Sequence, residues 1–143
     1  MADDPRPLRL CLVAAEYSTV TRGGVGGIGA HFYTLAHALA EAGHQVVVLT
    51  EAPDRPQQST EGGIEVRAIA PGSPRQWKLG RWLPVRWLKW SSAVRRGVRQ
   101  AHAERALDLV AFPDGYGEGF RFSLSPFIPF VVMLLGPASI VQR

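Results

Sequence analysis

The stretch LRLCLVAAEYSTVTRGGVGGIGAHFYTLAHALAEAGHQVVVLT, residues 8–50, decides the fold. It opens with an apolar run at 8–15, which is typical of a strand buried on both faces. Apolar residues then recur at helical spacing over 28–40, and Gly43 marks the expected end of that helix. A second, β-branched strand is predicted at 45–50. Strand, helix and strand at this spacing form a βαβ unit, which builds a parallel sheet.

The rest of the chain continues the alternation. Alternating and apolar runs predict three further strands, at 64–70, 107–112 and 129–135. We expect 52–63 to be a loop, Ser91 or Ser92 to cap a helix that ends near 106, and 118–125 to form a short helix. The sequence therefore predicts an α/β fold, a Rossmann-like, doubly wound, mostly parallel sheet of about five strands with flanking helices, in one domain over 1–143.

Composition excludes several classes of protein. The chain has 143 residues, 46% of them hydrophobic, which suits one globular domain with a core. Cys11 is the single cysteine, so no internal disulfide can form, and its place in a strand predicts a small core residue. The four histidines are too scattered for a zinc site, so no metal is expected. The start of the sequence does not resemble a secretory signal, and we predict a cytoplasmic protein.

One segment differs from the rest of the chain in charge. Residues 75–105 contain nine Lys and Arg against one acid, Glu104, and all four tryptophans. Basic residues with tryptophan are typical of a membrane interface, but also of nucleic-acid contact, which is less favoured here. A third interpretation is a helical excursion whose tryptophans pack on the sheet while its charges stay in solvent. The membrane-surface candidates are Trp77, Lys78, Arg81, Trp82, Arg86, Trp87, Lys89 and Trp90.

Five glycines lie within residues 23–29, between the first strand and the first helix. A glycine loop that leads into a helix N-terminus points free N–H groups and the positive end of the helix dipole outward, which favours an anion such as phosphate. Residues 24–29 also match G-x-G-x-x-G, with Glu51 placed like a ribose-binding acid. In a dinucleotide site, however, the first glycine directly follows the strand, and here polar residues intervene.

The order of these motifs resembles the N-terminal domain of family 4 glycosyltransferases of the GT-B fold. The resemblance covers most of 8–137. It is carried by Glu16, by the segments GGIGAH (26–31) and GHQVVVLT (43–50), and later by LDLV (107–110), the pair Pro113 and Asp114, and PFVV (129–132).

The resemblance implies transfer of a sugar from a nucleotide-sugar donor to a sugar or lipid-linked acceptor, with no bound cofactor or metal. Gly26, Gly27 and Glu16 would lie near the donor phosphates. Asp114, Tyr116 and Glu118 would line the acceptor side. The C-terminal, donor-binding domain of such enzymes has no counterpart in this sequence, so we expect the chain to be inactive alone.

Leu135 departs from the family pattern, which has a histidine at the end of the fifth strand. Leucine cannot donate a hydrogen bond to a sugar hydroxyl, and the catalytic residues therefore stay unassigned. Two alternatives remain open at this point: a non-catalytic module that binds a sugar, an anion or a membrane, and a nucleotide-dependent oxidoreductase. His31, in the first helical turn, could equally touch a substrate or face solvent.

Overall fold

A computed structural model describes residues 6–20, 26–71 and 85–135. Its strands are β1 (Arg9–Val13), β2 (Gln45–Glu51), β3 (Gln57–Glu61), β4 (Ile64–Ile69), β5 (Leu109–Pro113) and β6 (Phe130–Met133). Its helices are α1 (Gly27–Glu41), α2 (Val85–Glu104) and α3 (Phe120–Ser123). The strands form one sheet in the order β3-β4-β2-β1-β5-β6, and within the described residues only β3 runs antiparallel to its neighbour.

The strand order places a topological switch between β1 and β5. From the central β1 the chain builds outward through β2 and β4, then crosses to the other side for β5 and β6. Leu10 of β1 pairs with Val46 on one side and with Leu109 on the other. Ligands of doubly wound folds bind at the carboxyl ends of the strands beside such a switch. The fold thus confirms the predicted α/β class and fixes the edge where a site is expected.

The expected loop at 52–63 is wrong in part, because β3 lies within it. β3 pairs with β4 through a two-residue turn at Gly62 and Gly63, whose φ angles are +54° and +80°. Both positive angles suit a tight hairpin turn, which the Gly-Gly pair signals. The side chains of β3 are polar and mostly exposed, so this edge strand lacks the apolar alternation that predicts strands.

Helix α1 ends as the sequence predicts. Gly43 has a φ of +89°, its N–H donates to Ala40 O, and the His44 N–H donates to Leu39 O, both at 3.0 Å. These two bonds form a Schellman motif, which satisfies the last carbonyls of the helix. His44 then receives a hydrogen bond at Nδ1 from the N–H of Leu8, so it helps to place the start of β1.

Helix α2 begins at Val85, six residues before the predicted cap at Ser91 or Ser92. Both serines lie inside the helix. Ser92 Oγ donates to the carbonyl of Leu88, and Ser91 Oγ accepts the N–H of Arg121 and so joins α2 to α3. The earlier start is favoured because it buries Trp90, which is only 3% exposed, against the sheet.

Two apolar clusters cover the two faces of the sheet. One contains Cys11 and Val94 and lies under α2 and α3; the other contains Phe32 and lies under α1. Cys11 is fully enclosed, and burial raises the pKa of its thiol to about 12, which confirms a core residue. Among the helices that the structure describes, none is long and apolar enough to cross a bilayer.

Strand β6 forms the other edge of the sheet. It forms within the strand predicted at 129–135, but Val131 and Val132 are 43% and 48% exposed, and Leu134 is 82% exposed. The pairing with β5 covers one side of β6, from Val110 opposite Phe130 onward. The apolar run predicts the strand but not its exposure, because such a run does not show whether a further element covers it.

Candidate functional site

Two neighbouring cavities open at the carboxyl ends of the central strands. The first, here the glycine cavity, has a volume of about 530 Å³ and is lined by Ala15, Glu16, Gly26, Gly27, Ile28, Gly29, His31, Tyr116 and Leu135. The second, here the tryptophan cavity, has a volume of about 500 Å³ and is lined by Ala15, Glu16, Glu51, Ala52, Pro53, Arg86, Trp87, Trp90 and Tyr116. Glu16 and Tyr116 line both, and so stand between them.

The N-terminus of α1 forms one wall of the glycine cavity. Gly26 is the N-cap, and the N–H groups of Gly27, Ile28 and Gly29 have no acceptor inside the helix. Gly27 is exposed, and a Cβ added there would meet nothing within 4 Å. The positive end of the helix dipole therefore faces an open space, as an anion site requires. The earlier glycines of the loop lie in 21–25, outside the described residues.

The carboxylate of Glu16 already contacts this helix end. Its Oε2 accepts the N–H of Gly26 at 2.7 Å, so Glu16 acts as a side-chain cap reaching in from the exit of β1. This contact places Glu16 beside the predicted phosphate position, as the resemblance implies. It also puts a negative charge there, which an incoming anion must tolerate.

The acceptor-side trio of the sequence prediction separates in the structure. Tyr116 is 45% exposed and lines both cavities. Asp114 and Glu118 line neither cavity. Asp114 Oδ1 accepts the N–H of Leu135 at 3.1 Å, which ties the exit of β5 to the exit of β6. Glu118 is fully buried beneath the loop.

Burial, with a smaller contribution from the charge of Asp114, raises the pKa of Glu118 to about 7, although hydrogen bonds from backbone groups lower it. Glu118 Oε2 accepts the N–H of Tyr116 at 3.1 Å. Its Oε1 is buried without a hydrogen-bond partner among the described residues. Near neutral pH this carboxyl can therefore hold or release a proton, directly behind the residue that divides the two cavities.

Leu135 lines the glycine cavity opposite the α1 terminus, where the family pattern has a histidine. The position thus faces the glycine cavity with an apolar side chain. His31 lines the same cavity with an exposed ring. Within the described ranges, no group of three His, Cys, Asp or Glu side chains is arranged to hold a metal.

The basic, tryptophan-rich segment divides into several environments. Trp77, Lys78, Arg81 and Trp82 lie outside the described residues. Trp90 is buried in the core and is unavailable to a membrane surface, whereas the side chain of Arg86 is 82% exposed and Trp87 is 53% exposed. Arg86 lies 3.7 Å from Glu51 at the end of β2.

Sequence reasoning identified the strand-end loops of this edge but missed that the start of α2 closes the tryptophan cavity. Trp87 and Trp90 are three residues apart, a helical spacing that places both on one side of α2. This spacing is not informative if the helix begins at Ser91, as the sequence predicts, because both tryptophans then precede it. The helix begins at Val85 instead.

Comparisons with known proteins agree on one family. The model of the glycosyl transferase 4-like domain matches residues 26–132. Glycogen synthases from two strains of Mycobacterium tuberculosis, CDC 1551 / Oshkosh and H37Rv, are each 34% identical over 99 residues, covering 64% of this chain and 23% of the relative.

Among solved structures, the chain is similar to a sucrose-phosphate synthase from Thermosynechococcus elongatus, with a TM-score of 0.61 and 19% identity. That match covers 87% of this chain and 32% of the other, and supports the fold alone. The chain spans about a quarter of the length of the curated relatives. An oxidoreductase is not favoured by any of these matches. Because the family model covers more than half of the sequence, this chain belongs to the glycosyl transferase 4-like family of transferases.

Proposed function

We propose that the chain forms the acceptor side of a glycosyltransferase that moves a sugar from a nucleotide-sugar donor to a sugar or lipid-linked acceptor. The observation that carries this proposal is the open N-terminus of α1 within a cavity at the switch between β1 and β5. The N–H groups of Gly27 and Gly29 are free of intrahelical acceptors and suit the diphosphate of such a donor. Family membership supports the same class of reaction.

The residues of this chain would bind and orient rather than carry out bond breaking. The dipole of α1 would stabilise negative charge that develops on the leaving diphosphate, which is an electrostatic contribution. Tyr116 would contact the acceptor, with Glu118 supporting its loop from behind. We propose that the reaction uses no bound cofactor or metal. We assign no catalytic residue, since Leu135 replaces the histidine of the family pattern.

We also propose that these 143 residues alone transfer no sugar. The curated relatives are much longer, and the chain covers 23% of their length. A donor pocket between two domains would exclude water, which one open edge cannot do. Purified chain incubated with UDP-glucose, ADP-glucose or GDP-mannose and maltotriose is expected to release no nucleoside diphosphate. Measurable turnover that purifies with the chain would contradict this proposal.

The anion site can be tested on the chain directly. Pyrophosphate titrated into ¹⁵N-labelled protein should shift the amide resonances of Gly27 and Gly29 in a saturable way. Gly43, at the opposite end of the same helix, is the matched control and should not move. If Gly27 and Gly29 respond no more than Gly43 in the millimolar range, the phosphate role of this helix end is wrong.

Peripheral membrane contact on the cytoplasmic face is a further part of the proposal. It is supported by the charge of 75–105 and by the exposed side chain of Arg86 at the start of α2. Pelleting with anionic vesicles should retain the chain at low salt and lose it at moderate salt, because surface charges are screened. Absence of binding at low salt would remove the membrane from the proposal.

A further inference from the structure

We infer that the tryptophan cavity binds a pyranose ring of an uncharged sugar, and that Trp87 is the residue that selects it. This inference rests on the proposed function, because it names the acceptor class of the same transferase. It reassigns Trp87 and Trp90, which composition alone grouped with membrane-surface candidates, to the wall of a cavity at the ligand edge of the sheet.

The apolar component of the cavity is aromatic and accessible. Trp87 and Tyr116 are 53% and 45% exposed, although side chains of this size gain by burial. Both line a cavity of about 500 Å³, which is within the range of small-molecule sites. The face of a pyranose ring that carries C–H groups is apolar and packs on the electron-rich face of an aromatic ring. Exposed aromatic rings beside a cavity therefore suit a sugar.

The polar component suits hydroxyl groups. Glu51 and Arg86 lie 3.7 Å apart on the cavity wall, and together they offer an acceptor and a donor to neighbouring hydroxyls of one ring. Trp90 lines the same cavity. Its indole N–H is buried, so Trp90 contributes to the aromatic wall and the hydroxyl contacts fall to Glu51 and Arg86.

The side-chain charge of the cavity disfavours an anionic ligand. Among the residues that the structure describes, its ionisable side chains are those of Glu16, Glu51 and Arg86, which give a formal net charge of −1. A phosphorylated sugar would meet two carboxylates and a single guanidinium that is already paired. The same lining accepts an uncharged polyol without this repulsion.

The test uses the complete 143-residue chain and the indole N–H resonances of its tryptophans. Maltotriose is the uncharged probe and glucose 6-phosphate the charged one. We expect maltotriose to shift the Trp87 and Trp90 indole resonances in a saturable way, with glucose 6-phosphate binding at least tenfold more weakly. Response to glucose 6-phosphate alone, or no indole response to maltotriose, would overturn the inference.

Two variants separate stacking from general effects. Trp87→Ala should weaken maltotriose binding roughly tenfold, read at the Trp90 indole, because an aromatic face is lost. Phe120→Ala removes an equally exposed aromatic ring on α3, outside the cavity, and should leave the affinity unchanged. Equal affinities in the wild-type chain and the Trp87→Ala variant would overturn the assignment.

Pyrophosphate binding at Gly27 distinguishes this inference from the proposed function. If the chain responds to pyrophosphate but not to maltotriose, the sugar-binding role of the tryptophan cavity is wrong and the proposed anion site is supported. The opposite result supports the sugar cavity and overturns the anion site, which would leave a sugar-binding module.

Discussion

Ile28 in the first turn of α1 packs directly against the backbone of Gly115 at the exit of β5, so that a Cβ added to Gly115 would lie 2.8 Å from Ile28 Cδ1. Because Cδ1 is the free end of a flexible side chain, a Cβ at Gly115 would displace it. The contact brings the glycine loop next to the loop that carries Tyr116, and these are the two sides of the glycine cavity.

Gly115→Ala is expected to lower the free energy of unfolding by about 0.5–1.5 kcal/mol, because the added methyl group forces the end of the Ile28 side chain to shift. Ile28→Val removes the Cδ1 atom and should restore part of that loss in the double variant, measured by urea unfolding. Gly27→Ala is the matched control, since a Cβ there has open space, and it should cause no loss. Additive effects of the two substitutions would argue against a direct contact.

Glu16→Ala should destabilise the chain by about 1 kcal/mol, because the N–H of Gly26 loses its side-chain cap. Glu16→Gln keeps an acceptor oxygen and should cost less. It also removes a negative charge beside the α1 terminus, so pyrophosphate should bind roughly threefold to tenfold more tightly. Thermal unfolding and the Gly27 titration measure the two effects. Weaker pyrophosphate binding by Glu16→Gln would mean that the carboxylate helps to hold the ligand.

Glu118 predicts a dependence of stability on pH. Its pKa in the folded chain is about 7, above the ordinary value of 4.5 for a glutamate, so the folded state holds the proton more tightly than the unfolded state. Stability from this group is complete below pH 4.5 and falls as pH rises to about 7, by roughly 3 kcal/mol at most. Glu118→Gln should flatten this fall, whereas Glu41→Gln, on the exposed surface of α1, should not. Parallel pH profiles for wild type and Glu118→Gln would refute the shift.

A network of ion pairs and hydrogen bonds stabilises the end of the sheet that lies opposite the two cavities. Glu65 accepts hydrogen bonds from Gln58 and Arg67 and lies 3.6 Å from Arg9, and both arginines are largely buried. Glu65→Gln should lower the free energy of unfolding by about 1–3 kcal/mol, because two buried cations lose a shared partner. Gln58→Ala removes one exposed contact only and should change the free energy of unfolding by less than about 0.5 kcal/mol. Equal effects of both would contradict the network.

The exposed side chains of β6 predict self-association of the isolated chain. Val131 and Val132 lie on an edge strand, and Leu134 follows it with 82% of its surface exposed. Such an edge offers both apolar surface and unpaired backbone groups. Sedimentation should show a concentration-dependent increase in mass, and Val132→Lys should reduce it. A monomer at all concentrations would disprove this expectation.

The sequence predicted the fold well because β1 and β2 are short continuous apolar runs, whereas α1 has a helical period. β3 was missed because its exposed polar residues carry no period, although Gly62 and Gly63 signalled a turn. The start of α2 was missed because Ser91 looks like a cap, and only tertiary burial of Trp90 shows that the helix begins earlier. Local patterns report the periodicity of an element but not the surface that will cover it.

The same limit applied to the site. The glycine loop was recognisable because glycine and a helix start lie next to each other in sequence. The tryptophan cavity was not recognisable, since its lining residues come from the ends of β1 and β2 and from α2. Two of them, Glu51 and Arg86, are far apart along the chain. The separate burial of Glu118 and exposure of Tyr116 also depend on how their loop folds back, which the sequence GYGEG does not specify.

The two edges of the sheet differ in what they permit. β3 presents Gln58 and Ser59, and its short, polar outer side gives a further strand little apolar surface to cover. β6 presents valines with half of their surface uncovered. Apolar contact with a neighbouring molecule or with further polypeptide is therefore available at the β6 edge, on the side of Leu135 and the glycine cavity, and not at the β3 edge.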